Sequence, residues 1–117
     1  MKSHEDLDCW KEGMQLAGMV YRMTASWPVE ERFGLTNQIR RAVVSVPSNI
    51  AEGSARQSDK DFSHFLDIAL GSLAEVDTQR CLAQDFGYTV DSQINDQIIS
   101  VRKLTLGLRN YIRSRDL

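Results

Sequence analysis

Asp61 and His64 stand three apart in the run Asp61-Phe62-Ser63-His64, a spacing that helical geometry places on one face. An acid-x-x-His pair is one half of a carboxylate–histidine metal site. Di-iron bundles use Glu-x-x-His twice, with two further carboxylates from other helices. Here the pair occurs once, with Asp, at the start of a helix. The only other histidine, His4, lies near the N-terminal end, which is expected to be disordered. No metal site and no cofactor are expected.

Nucleophilic chemistry finds no better footing. Serines are many, but none occupies a Gly-x-Ser-x-Gly elbow, and neither cysteine has a histidine close in sequence. There is no phosphate loop and no Gly-x-Gly-x-x-Gly turn. Glu52-Gly53-Ser54 reads as a helix end. Cys9 and Cys81 lack Cys-x-x-Cys spacing, and both read as small, partly buried apolar residues left reduced in a cytosol. Trp10 and Trp27 fit core or loop anchors better than base-stacking platforms. No catalytic residue is assigned, and the chain is not expected to be an enzyme.

Two polar groupings remain. Gln38, Arg41, Ser45, Asn49, Glu52 and Arg56 recur at helical spacing on the side of a helix opposite its apolar face. His64, Asp67, Gly71, Ser72, Glu75, Thr78 and Gln79 give the next helix a similar mixture. A plain solvated face usually carries long, interchangeable charges. A mixture of amides, hydroxyls and isolated charges of both signs fits a polar interface, inside the bundle or between subunits, with Arg41 paired to Glu75 or Glu52. The second grouping is basic. Residues 1–96 hold nine Lys/Arg against fifteen Asp/Glu, whereas residues 97–117 hold five against one. Arg102, Lys103, Arg109, Arg113 and Arg115 offer an anion a contact surface, with Arg40 as a second patch. The same tail also suits the negative end of a helix dipole.

These residues need helices to place them. The chain has 117 residues with 42% apolar and 26% charged content, enough for one domain over residues 1–117 with its own core. No apolar run is long enough to span a membrane, and the N-terminus lacks a secretory h-region, so a cytoplasmic protein with no membrane partner is expected. Apolar spacing predicts four helices. The first runs from about Asp8 to Ser26, with Trp10, Met14, Ala17, Tyr21 and Thr24 as its stripe, widened by Leu16, Val20 and Met23; Pro28 stops it. The second starts near Leu35 and buries Ile39, Val43, Val46 and Ile50, with a kink or local break at Pro47. Ser58 caps the third, which buries Phe62, Leu66, Ala69, Leu73, Val76 and Leu82/Ala83 and ends at Gly87. The fourth starts after Asp91 and buries Ile94, Ile98, Val101, Thr105, Leu108 and Ile112. Four such helices on short loops pack as an all-α, antiparallel up-down-up-down four-helix bundle.

The stretch Phe33–Arg56, FGLTNQIRRAVVSVPSNIAEGSAR, closely resembles the family of four-helix-bundle proteins encoded in intervening sequences of 23S rRNA genes. Asp61-Phe62 and Phe65–Glu75 match as well, and Leu7-Asp8-Cys9-Trp10-Lys11 is similar to the family's opening. Members were once labelled ribosomal proteins. The resemblance implies a bundle that assembles into a ring-shaped homopentamer. It also implies kinship with the accessory protein of diversity-generating retroelements, which binds a reverse transcriptase and nucleic acid through a basic surface. This chain departs from that protein in being net acidic.

The function expected is therefore a homo-oligomeric scaffold with weak or partner-assisted binding of rRNA or other nucleic acid. Binding through the basic tail would fall steeply with salt. The alternatives are a protein-interaction module with no nucleic-acid role, and an unrecognised enzyme with a pocket between the polar faces of the second and third helices.

Overall fold

A computed structural model describes residues 3–115. A single turn of 3-10 helix, His4–Asp6, precedes α1 (Asp8–Thr24); a second, Val29–Glu31, precedes α2 (Leu35–Ser54). Helices α3 (Asp59–Asp85) and α4 (Ile94–Arg115) complete an all-helical bundle, with no strand among the described residues. The bundle measures 48 × 23 × 20 Å. Its long axis is set by α3, whose 27 residues span about 40 Å at 1.5 Å per residue.

The facing residues record how the helices lie. Gly13 sits against Val46 and Pro47, while Thr24 meets Arg40. Ser45 meets Ser72, while Gly53 abuts Phe62 and Phe65. Asp59 holds Arg115, while Asp67 holds Arg109. Glu12 meets Ser100, while Met23 meets Asp91. In every pair the numbers rise along one helix as they fall along its neighbour.

Leu16 and Val20 of α1, Ile39, Val43, Val46 and Ile50 of α2, Leu66, Leu73 and Val76 of α3, and Ile94, Ile98 and Val101 of α4 are fully buried. Each contributes about 1.5–3 kcal/mol of transfer free energy. The helix ends follow their sequence signals. Ser58 accepts from the Asp61 N–H at 3.1 Å. Gly87 takes φ +80°, and the N–H groups of Gly87 and Tyr88 return to the carbonyls of Gln84 and Ala83. That is the Schellman pattern, and it needs a residue without a Cβ penalty at the left-handed position.

Several expectations are corrected. The core stripe of α1 is Cys9, Gly13, Leu16, Met19, Val20, Met23 and Thr24, so Thr24 is buried as expected whereas Met14 and Tyr21 lie outside, 48% and 45% exposed. Trp10 and Ala17 sit half-buried at the border. Gly13 is buried facing α2, where an added Cβ would make ordinary contact with Val46 and Pro47. No local break occurs at Pro47: α2 is one helix, and Pro47 is buried under α1. Leu82 is exposed and Ala83 takes the core position. Cys9 is buried as expected, whereas Cys81 is exposed. His4, expected in a disordered end, packs edge-on to Trp10 with ring centroids 5.1 Å apart.

Candidate functional site

The polar stripe of α2 divides into an inner half and an outer half. In the inner half, Ser45 Oγ and Ser72 Oγ lie 2.8 Å apart across the α2–α3 seam, and Asn49 Nδ2 donates to both the carbonyl and the hydroxyl of Ser45 at 2.8 Å. This chain of hydrogen bonds joins α2 to α3 within one subunit. It is possible because Ser45 and Ser72 are short enough to let the two helices meet. Glu52 pairs with Arg56 one turn on, at 2.7 Å, and the Arg56 guanidinium lies over the Phe65 ring.

The outer half is open. Gln38, Arg41 and Glu75 line a groove of about 400 Å³ with Asn37, Ala42, Ser45, Ser72 and Gln79. The pairing expected for Arg41, with Glu75 or Glu52, is not formed: no ion pair among the described residues includes Arg41 or Glu75, and Glu52 is engaged by Arg56. Gln79 Oε1 is buried with no hydrogen-bond partner. A second groove, lined by Gly71, Ala74, Thr78 and Leu82, shares Gln38, Glu75 and Gln79 with the first. The two therefore form one trough, polar along α2 and more apolar along α3.

The basic residues are mostly engaged. Arg40 Nε donates to Thr24 Oγ1 at 2.8 Å, and its guanidinium covers the Tyr21 ring. Thr24 in turn donates to the Val20 carbonyl. Arg40 thus fastens α2 to α1. Arg109 and Arg113 both bind the Asp67 carboxylate, Arg113 also donates to Ser63 Oγ, and Arg115 binds Asp59. Only Arg102 and Lys103, of the six candidates, are exposed with no hydrogen bond or ion pair among the described residues. Sequence reasoning missed the acceptors. Asp67 and Asp59 lie 42 to 56 positions from their arginines, and only the pairing of α3 with α4 brings them together.

The turn before α2 is equally specific. Glu31 Oε1 accepts from the Leu35 N–H at 3.0 Å, and Oε2 accepts from the Tyr88 hydroxyl at 2.7 Å. These bonds hold the Glu31 carboxyl below its ordinary range, the tyrosine hydrogen bond contributing most. Burial pushes the Cys9 thiol up to about 11, so it stays neutral. No His/Cys/Asp/Glu group suited to a metal occurs among the described residues. No described helix is long and apolar enough to cross a membrane.

These features define a small four-helix bundle with an open, charge-bearing trough between its second and third helices. The sequence pattern of the 23S rRNA-intervening sequence protein family matches residues 5–109, and the chain belongs to that family. No curated protein matches it.

Proposed function

We propose that this protein is a cytoplasmic, non-catalytic scaffold that works as a homo-oligomer, a ring of five copies as its family resemblance implies. One observation carries the reading: Arg41 and Glu75 border the same open trough without an ion pair among the described residues. A neighbouring copy that brings a charge of each sign gives both a partner.

RNA contact is a secondary part of the proposal. With Arg109, Arg113 and Arg115 bound to aspartates, the cations left to meet phosphate are Arg102 and Lys103. Two contacts per copy bind weakly, and repetition around a ring raises their effect through avidity. The engaged arginines equally favour the second reading, a protein-interaction module without nucleic acid.

The test is the mass in solution of the wild-type chain and of Arg41→Glu. An oligomer that shrinks in the variant is expected; a wild-type monomer at every concentration overturns the scaffold reading. Retention of structured rRNA at low salt, lost steeply as salt rises and lost in Arg102→Ala/Lys103→Ala, separates the RNA part from the second reading.

A further inference from the structure

Val29 and Phe33 are the two most exposed large apolar side chains, at 67% and 87%. They flank the turn Glu30-Glu31-Arg32. This turn is built firmly. Glu31 is fixed at both carboxylate oxygens by Leu35 and Tyr88, and the N–H groups of Arg32 and Gly34 bond back to Val29 and Glu31. A Cβ at Gly34 would stand 2.6 Å from Glu31 Oε1, so the carboxylate would have to give up its place on the Leu35 N–H. A rigid turn that holds two apolar side chains in water loses little freedom on docking. Glu30 and Arg32 are exposed beside them and form no ion pair among the described residues.

The α2–α3 trough has the matching chemistry. Gly71, Ala74 and Leu82 form its apolar side, and Arg41 and Glu75 stand along it. Gly71 weakens a helix interior, yet no atom of the subunit lies within 4 Å of where its Cβ would be. The space it leaves is on the outside.

We propose that the Val29–Phe33 turn of one copy seats in the α2–α3 trough of the next, with Phe33 on Gly71 and Ala74, Glu30 against Arg41 and Arg32 against Glu75. The occupant is a second copy of this chain because the turn supplies a partner of opposite sign for each of the trough's two unpaired charges and the apolar groups its α3 side accepts. This rests on the homo-oligomer reading and deepens it. Turn and trough are built from different residues, so a contact repeated head-to-tail leaves each copy one of each free for a further neighbour. Contacts of that kind generate closed rings or open filaments.

Native mass spectrometry and light scattering of Phe33→Glu and Gly71→Trp test it. Each variant alone should need more than about tenfold higher concentration to assemble, the loss expected of an aromatic anchor at an interface. Mixed, they should form a one-to-one heterodimer and nothing larger, because only one intact turn and one intact trough remain in the pair. Glu30→Arg or Arg41→Glu should each weaken assembly, and the double variant should recover it, which guards against a Gly71→Trp that fails to fold. Phe33→Glu at wild-type mass, no heterodimer from two folded variants, or no recovery by the charge swap overturns the seating while leaving the oligomer standing. A wild-type monomer at all concentrations removes both.

Discussion

Gly53→Ala should destabilise the bundle, although alanine is the better helix former. Gly53 lies in the last turn of α2, buried against the start of α3. A Cβ there would stand 2.8 Å from Phe65 Cβ, 3.0 Å from Phe62 Cδ1 and 3.3 Å from the Phe62 carbonyl oxygen. The Phe65 Cβ and the carbonyl belong to the α3 backbone frame, so relief requires the two helices to separate. Overpacking of this kind costs about 1–3 kcal/mol. Helix propensity returns up to about 1 kcal/mol, and less in a final turn that is already frayed. The net loss is about 1–2 kcal/mol, a fall in Tm of about 3–10 °C for a chain of this size. Urea unfolding at fixed protein concentration, followed by far-UV circular dichroism, reads the change as a lower midpoint at constant m. Gly107→Ala is the control: no atom lies within 4 Å of its added Cβ, so it should gain up to about 1 kcal/mol. A Gly53→Ala variant as stable as Gly107→Ala would refute the close approach of α2 and α3.

Other outcomes follow from single sites. Glu31 is held below its ordinary range in the folded state, so its contribution is complete above the unfolded value of about 4.5 and is lost as pH falls through the lower folded value. Glu31→Gln should therefore remove part of the acid sensitivity of unfolding, and an unchanged pH profile would contradict the Tyr88 and Leu35 bonds. Cys9 is buried and raised to about 11 while Cys81 is exposed, so a thiol reagent at pH 8 should label one cysteine per native chain and two after unfolding. Leu16→Ala should cost about 2–5 kcal/mol, whereas Met14→Ala should stay within about 0.5 kcal/mol at the subunit level; chemical denaturation of both decides which stripe of α1 is core. Asp67→Asn should cost less than about 1 kcal/mol, because its pairs with Arg109 and Arg113 are partly exposed, and the difference should shrink in high salt.

Much of this architecture was legible because apolar spacing in α2, α3 and α4 has one reading. Ile39, Val43, Val46 and Ile50 leave no second stripe to choose, and Gly87 and Ser58 mark ends by chemistry that acts locally. In α1 two stripes compete. Trp10, Met14 and Tyr21 are large and attract the assignment, but a helix's rotation is decided by what packs on it, and α2 packs on the side that carries Gly13, Leu16 and Val20. The site divides the same way. The polar character of the α2 and α3 faces could be read from residue type alone. Which members bond inside the subunit could not, because Ser45–Ser72 and Asp67–Arg109 depend on the relative height of two helices. Exposure of Phe33 was equally hidden, since an aromatic beside a glycine ordinarily signals a buried turn.

The Asn49–Ser45–Ser72 chain has a mechanical side. Sliding α2 by one turn past α3 would carry Ser45 about 5.4 Å away and break its bond to Ser72, while Asn49 would travel with Ser45. Arg41 stands one turn before Ser45 and Glu75 just beyond Ser72, so the Ser45–Ser72 bond sets their relative height. The trough is then a jaw of set gauge. If copies dock there as proposed, a turn of matching width enters and one with a bulkier residue is turned away, which would keep assemblies of this chain from mixing with those of similar sequences.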